Sequence, residues 1–507
     1  MCSCPSPDSS PRAHRRNSSK PLSLSPADTR ATAVPPGPPS LGPVLLPLSG
    51  LLVAQFVSGL SATIVATSIP TIMHTLSGPA SHATWLVAAT ILGNTASTPI
   101  WGRLADLFAP KRIVQIAIAL FVLGSIGAGL SADTTQLLTA RAVQGIGLGG
   151  LGASAAVVVA MLVSPRERGR VNSWLVSVQT TATILGPVVG GFIVQSTLGW
   201  RWCFFVAVPL AVASIVVLAL TLRLAERPAR ASGRTDIAGA FLIATGVTAV
   251  LIAVTTLSDD DWSFTPVSAL VGGYGVVAII ALVIVELRVT SPVIPLRLLA
   301  QRTGALCVTA AFTIGFTLFG GSVFVTQYLQ LGLGIPPATA GLLLAPMAIG
   351  TVGASILAGR MISRTGLVKA VLVGGASLCL AGNIALALAP LAPLPLALVG
   401  TVLLSAGLGS TTQNLVLAGQ TVAGANRVGS VSATVMFFFT LGGTVGLVLL
   451  GAVLAHSVSG LRASGASEQL AYSAGLPTVF ALSGVSTLVA LVALVFLRSI
   501  RLASAQG

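Results

Sequence analysis

The chain has 507 residues, of which 54% are hydrophobic and 8% charged, with a formal net charge of +15. Soluble domains carry about 25% charged residues, so the composition excludes a water-covered fold of this length and makes lipid the solvent. The positive charge sits in short junctions between apolar segments, where it sets membrane orientation, so no nucleic-acid partner is expected.

Residues 1–42 are rich in Ser, Pro and Arg and lack apolar periodicity. They are expected to form a disordered cytoplasmic tail, without the pattern of a signal peptide. Apolar segments of roughly twenty residues then recur, each long enough for a hydrocarbon core of about 30 Å. Fourteen spans are expected: 47–72, 84–101, 113–130, 136–163, 171–195 and 202–222; 237–257 and 266–285; then 304–328, 338–358, 367–389, 394–419, 429–455 and 477–497. With these spans, 24 of the 27 Lys and Arg fall on one side of the membrane. Both termini are therefore expected to be cytoplasmic, and the plasma membrane is the expected location.

An internal repeat organises the spans. The stretch from Gly102 to Arg112 echoes that from Gly359 to Lys369 at an offset of 257, and Leu185 to Gly190 echoes Leu441 to Gly446 at an offset of 256. The expected fold is an all-α membrane protein of two six-helix halves, 43–225 and 291–507, with two inserted helices within 226–290. A substrate site is expected between the halves, near the bilayer midplane.

The motifs carry a resemblance. Gly102, Arg103, Leu104, Ala105 and Asp106, followed by Lys111 and Arg112, resemble the signature between helices 2 and 3 of the major facilitator superfamily. Arg141 to Gly145, with Gly147, Gly149 and Gly150, resembles its helix 4 signature. Gly186, Pro187, Gly190 and Gly191 resemble the helix 5 signature of its exporters. The stretch from Gly199 to Phe205 with Pro209 is similar to the fourteen-helix drug:proton antiporter branch, as found in actinobacterial antibiotic exporters. Short matches at Pro292 to Arg297, Tyr328 to Gln330 and Ala340 to Pro346 agree. Ala109 and Pro110 stand where that family usually has Gly and a basic residue.

The resemblance implies roles. Gly102, Arg103, Asp106, Lys111 and Arg112 would gate by holding charge against helix ends, and Gly186, Pro187, Gly190 and Gly191 would form a close-packed pivot. An arginine inside a span is costly and is a functional candidate by default, so Arg141, Gln144, Gly145 and Asp133 are candidates for transport or coupling. Pairing of Arg141 with Asp133 at the outer interface is the structural alternative.

Two departures stand out. Helix 1 reads Leu60-Ser61-Ala62-Thr63-Ile64-Val65, with Ser61 where the family usually has an aspartate, and Phe439 and Thr440 precede Leu441 where an arginine and a polar residue are usual. None of the twelve acids is expected in mid-span; Asp106, Glu167, Glu226, Asp236 and Glu286 are assigned to cytoplasmic ends or loops. Proton coupling is left open. The cavity candidates are Gln55, Ser61, Asn94, Gln179, Gln327, Gln413 and Asn414, together with Phe316, Phe319, Phe437 and Phe438, a neutral set that suits amphipathic organic molecules.

The function expected is export of such compounds, drugs and antibiotics among them, by a monomer in the bilayer. The alternatives are a facilitator of one metabolite and a non-transporting sensor or scaffold. No nucleophile and base constellation, nucleotide loop or metal cluster is legible, and the five cysteines form no framework, so neither enzyme activity nor a cofactor is expected.

Overall fold

Proline and glycine set many of the helix boundaries in this chain, because proline pre-organises a first turn and glycine closes a last one. The computed structural model describes residues 42–65, 68–76, 81–222, 236–259, 266–289, 292–294, 296, 301–422 and 428–498; the expected tail lies outside them. Fourteen long helical segments follow in order. They are α1 (Gly42–Ile64), α2 (Ser81–Leu107), α3 (Pro110–Leu130), α4 (Thr134–Leu162), α5 (Pro165–Gln195) and α6 (Ala207–Thr221), then α7 (Ile237–Asp259) and α8 (Pro266–Arg288). The remaining six are α9 (Arg302–Gln327), α10 (Ala345–Thr365), α11 (Val368–Ala387), α12 (Pro393–Val422), α13 (Val428–Ala463) and α14 (Glu468–Val495). Among the described residues, twelve helices are long and apolar enough to cross a membrane.

Several expected boundaries move. The first span stops at Ile64, and Ile69–Thr75 forms a separate short helix with a proline in its first turn. The tenth divides into Pro337–Leu343 and α10, which restarts with Pro346 in its first turn. The expected loop after the second span is mostly helical: α2 continues through Asp106 to Leu107, and Pro110 opens α3 after two intervening residues. In the same way α10 continues through Gly359 to Thr365 and ends on Gly366, whose φ of 71° is the left-handed conformation that glycine adopts without strain. The ninth span runs on from α9 into a π-helical turn, Tyr328–Gly332.

Small residues bring helices together where there is no water to drive them. Gly59 of α1 rests on the Gln179 carbonyl of α5, and Gly186 of α5 on Thr63 of α1. At the 256-residue offset, Gly315 of α9 rests on the Phe439 carbonyl of α13, and Gly442 of α13 on Phe312 of α9. The repeat is therefore one of packing as well as of letters. A second pair agrees: Gly124 of α3 lies against Gln144 of α4, and Gly382 of α11 against Leu404 of α12.

The inserted helices pair with each other through Gly246 on Ala278 and Gly275 on Val250. Leu92 of α2, Ile243 and Val247 of α7, Leu282 of α8 and Phe437 of α13 join in one apolar cluster. The other side of α8 exposes Leu270, Val277, Ile280 and Ile284, a composition suited to lipid.

Candidate functional site

At the end of the bundle where α2 finishes, the first half is tied to the second. The Asp106 carboxylate accepts three hydrogen bonds, from the Gly429 amide at 2.8 Å, the Ser430 amide at 2.7 Å and the Ser430 hydroxyl at 2.6 Å. These amides belong to the first turn of α13, where N–H groups have no partner in their own helix and the dipole favours a negative charge. The contact requires close approach, and Gly102 provides it: a methyl group there would collide with Gly429 and Ala433. Asp106 lies beyond the apolar stretch of α2. Burial pushes its carboxyl above the ordinary value, against the downward pull of Ser430, Gly429 and the charge of Arg103.

Lys111 turns elsewhere. Its ammonium donates to the Ala219 carbonyl at 2.6 Å, in the last turn of α6. One residue past the position that repeats Lys111, Lys369 donates to the Val495 carbonyl at 2.7 Å, in the last turn of α14. Arg112 is exposed. The repeat of Gly102 also crosses between halves: Gly359 of α10 lies against the Gly169 carbonyl and Ser173 of α5. Ser363 occupies the place corresponding to Asp106, and its hydroxyl bonds the Arg360 carbonyl of its own helix.

A further cross-half link went unread in the sequence. Arg168 of α5 donates to the Gln420 side chain of α12 at 3.2 Å and to the Ala160 carbonyl at 2.7 Å, and Gln420 donates to the Ser432 hydroxyl of α13 at 3.0 Å. In the sequence Arg168 is one of three arginines in a short junction and looks like ordinary orientation charge. Gly429 carried no signal, because its backbone amide does the binding, and Ser430 binds through its amide as well as its hydroxyl.

Arg141 is 2% exposed. Its Nε donates to the Leu86 carbonyl at 3.1 Å and its Nη1 to the Gln144 side chain at 2.6 Å, while Gln144 donates to the Ser125 hydroxyl at 2.8 Å. Its guanidinium also lies 5.9 Å from the Phe204 ring centroid. Among the described residues no carboxylate touches it. Asp133 instead caps α4, accepting the Gln136 amide at 2.8 Å, and is exposed, so the alternative pairing with Arg141 is not made. Gly145 packs against the Thr90 carbonyl, which brings α2 and α4 together beside this network.

The helix 5 motif divides by environment. Gly186 and Gly190 are buried, whereas Gly191 faces open space. α5 continues through Pro187.

The cavity candidates are dispersed. Gln55 and Ser61 are buried in α1, and the Ser61 hydroxyl has no hydrogen-bond partner among the described residues. Asn94 accepts from the Thr98 hydroxyl, and Asn414 donates to the Ser410 carbonyl with its Oδ1 unpartnered. Gln179, Gln327 and Gln413 are half-buried, and Gln327 Oε1 also lacks a partner. No described hydrogen bond joins these side chains to one another. Phe437 packs edge-on to Phe438 with centroids 5.2 Å apart and faces the inserted helices. Phe316 is buried, and the Phe319 side chain lies outside the described residues.

Comparison with known proteins places this arrangement. Residues 51–447 match the Major Facilitator Superfamily. The multidrug transporter protein MdtP of Bacillus subtilis is 30% identical over 80% of this chain and 74% of its own length. An uncharacterized MFS-type transporter of Mycobacterium tuberculosis is 32% identical over 84% of this chain, which spans 62% of that protein's length. The efflux pump dotC of Dothistroma septosporum is 34% identical over 64% of this chain and 56% of its own length. Among solved structures, the human organic anion transporter MFSD10 superposes with a TM-score of 0.62 at 12% identity, covering 87% of this chain and 99% of that one. The proton:xylose symporter XylE gives 0.59 at 16% identity, covering 91% and 97%. These two likenesses concern the fold alone. With a family match across most of its length, the same helical fold and a lipid-suited composition, the chain is a membrane-embedded transporter that belongs to the Major Facilitator Superfamily.

Proposed function

We propose that this transporter exports small amphipathic organic compounds by alternating access, with both termini in the cytoplasm and the Asp106 contact closing the cytoplasmic end. The observation that carries the reading is the carboxylate of one half capping the first turn of α13 in the other. A cap of this kind is made or lost as a unit, which suits an end that opens and closes. The names of the relatives, a multidrug transporter and an efflux pump, support the direction and the substrate class. The candidate residues support a neutral substrate, since amides, hydroxyls and phenyl rings outnumber charges around the spans.

The test is accumulation of fluorescent neutral and cationic drugs in cells making the protein, with and without a protonophore, beside an Arg141→Ala control. Lower accumulation that the protonophore abolishes is the expected result. Unchanged accumulation across a broad panel counts against multidrug export.

A further inference from the structure

Two acids at the foot of the inserted helices have no part in the contacts above. Asp236 immediately precedes α7 and Glu286 lies in the last turn of α8; both were assigned to cytoplasmic ends or loops, yet they are 6% and 1% exposed. Asp236 Oδ1 accepts the Gly239 amide at 2.7 Å, and Glu286 Oε1 accepts the Val293 and Ile294 amides at 3.2 Å each. Their other oxygens, Asp236 Oδ2 and Glu286 Oε2, are buried without any hydrogen-bond donor among the described residues. The two carboxylates share one pocket. A methyl group on Gly239 would run into Asp236 Oδ2 and stand 3.0 Å from Glu286 Oε1.

Among the described residues, burial pushes the Glu286 carboxyl up and the charge of Arg103 of α2 opposes that push more weakly, acting in the same sense on Asp106 one turn further along. Among the described residues, Arg288 at the end of α8 and Arg302 at the start of α9 are exposed. The described part of α13 carries no titratable side chain before His456, and α7 carries none between Asp236 and Asp259. Two neighbouring buried carboxylates repel each other, and a second negative charge in such a place takes a proton instead.

We propose that the Asp236–Glu286 pocket is a proton-binding site, holding a single proton on Glu286 against the neighbouring Asp236 carboxylate, and that its occupancy sets how strongly Arg103 is drawn away from Asp106. The step moves one proton between water and a Glu286 carboxylate oxygen, and no other bond is made or broken. With the site empty, both carboxylates attract Arg103 and Asp106 keeps its bonds to Ser430. With the site loaded, that pull weakens and Arg103 competes with the α13 amides for Asp106. Protonation would thereby loosen the cap through a charge one helical turn away. The coupling role rests on the export reading above, while proton binding itself does not.

The test uses the purified full-length protein in lipid and infrared pH-difference spectra, which record the C=O stretch of a protonated carboxyl as it titrates. A band is expected in the wild type, retained in Asp106→Asn and lost in Glu286→Gln. Asp236→Asn removes the neighbouring negative charge, so the band's midpoint is expected to fall by about one pH unit or more. If Glu286→Gln does not fold, that displaced midpoint still decides the matter. A wild type without the band, or a band unmoved by both substitutions, overturns the site. In drug-export assays at clamped pH, Glu286→Gln is expected to flatten the pH profile, and an unaltered profile overturns the coupling. A wild type that shows the band but exports nothing removes the export reading and leaves the site standing.

Discussion

Asp106 and Ser430 lie 324 positions apart and share two hydrogen bonds, at 2.6 and 2.7 Å, so the end of α2 and the start of α13 are held as one piece. Hydrogen bonds to a charged group contribute about 1.5–3 kcal/mol each, and every 1.4 kcal/mol is about a factor of ten in a population. Asp106→Asn should therefore shift this end toward the open state by roughly ten- to a hundredfold. The measurement is modification of Ser173→Cys by a membrane-impermeant thiol reagent in everted vesicles, with the native cysteines replaced by serine. Equal rates with and without Asp106 would show that the cap does not hold this end closed.

The helix 5 motif should separate under alanine substitution. At Gly186 a methyl group would stand 3.0 Å from Thr63 Cβ and press on its hydroxyl, while at Gly191 it would meet nothing within 4 Å. Overpacking typically costs about 1–3 kcal/mol. Gly186→Ala is expected to lower the melting temperature and export together, and Gly191→Ala to match the wild type in both. Equal effects at the two positions would contradict the packing described for α1 and α5.

Arg141 is surrounded by neutral acceptors, and its shortest bond, 2.6 Å, goes to Gln144. Gln144→Leu leaves the guanidinium with one acceptor fewer, at a cost of about 1.5–3 kcal/mol. Gln144→Glu keeps an acceptor in place and should melt above Gln144→Leu. Thermal unfolding of the two variants in lipid nanodiscs checks the order, and a Leu variant as stable as the wild type would deny the bond any structural weight.

Lys111 and Lys369 meet the last turns of α6 and α14 in matching ways. A cation at a helix C-terminus contributes about 0.3–1 kcal/mol. Alanine at either position should produce small, similar falls in melting temperature and leave the pH profile of export unchanged. A loss confined to one of the two would show that the two contacts are not matched in energy.

The long apolar runs made the helical spans legible, because length and composition alone decide what can span lipid; twelve helices among the described residues meet that measure. Legibility ended at their borders. The break after Ile64 and the restart at Ala345 depend on single prolines inside otherwise continuous apolar sequence. In the candidate site, Asp106 could be read as a charge placed against a helix end, but Gly429 could not be read as its partner, since any residue but proline supplies the same amide. Asp236 and Glu286 looked like solvated junction charges. Their burial follows from how α7 and α8 lie against α2, which no local pattern encodes.

The two halves do not meet symmetrically. Gly102 and Gly359 make equivalent close approaches, but Asp106 reaches across to the other half while Ser363 bonds only its own backbone. The two seams are therefore fastened by different chemistry, a carboxylate on one and a guanidinium on the other. On the proposed reading, parting α2 from α13 breaks three hydrogen bonds to one carboxylate, whereas parting α5 from α12 breaks the single bond between Arg168 and Gln420, so the energy of opening is weighted toward one seam.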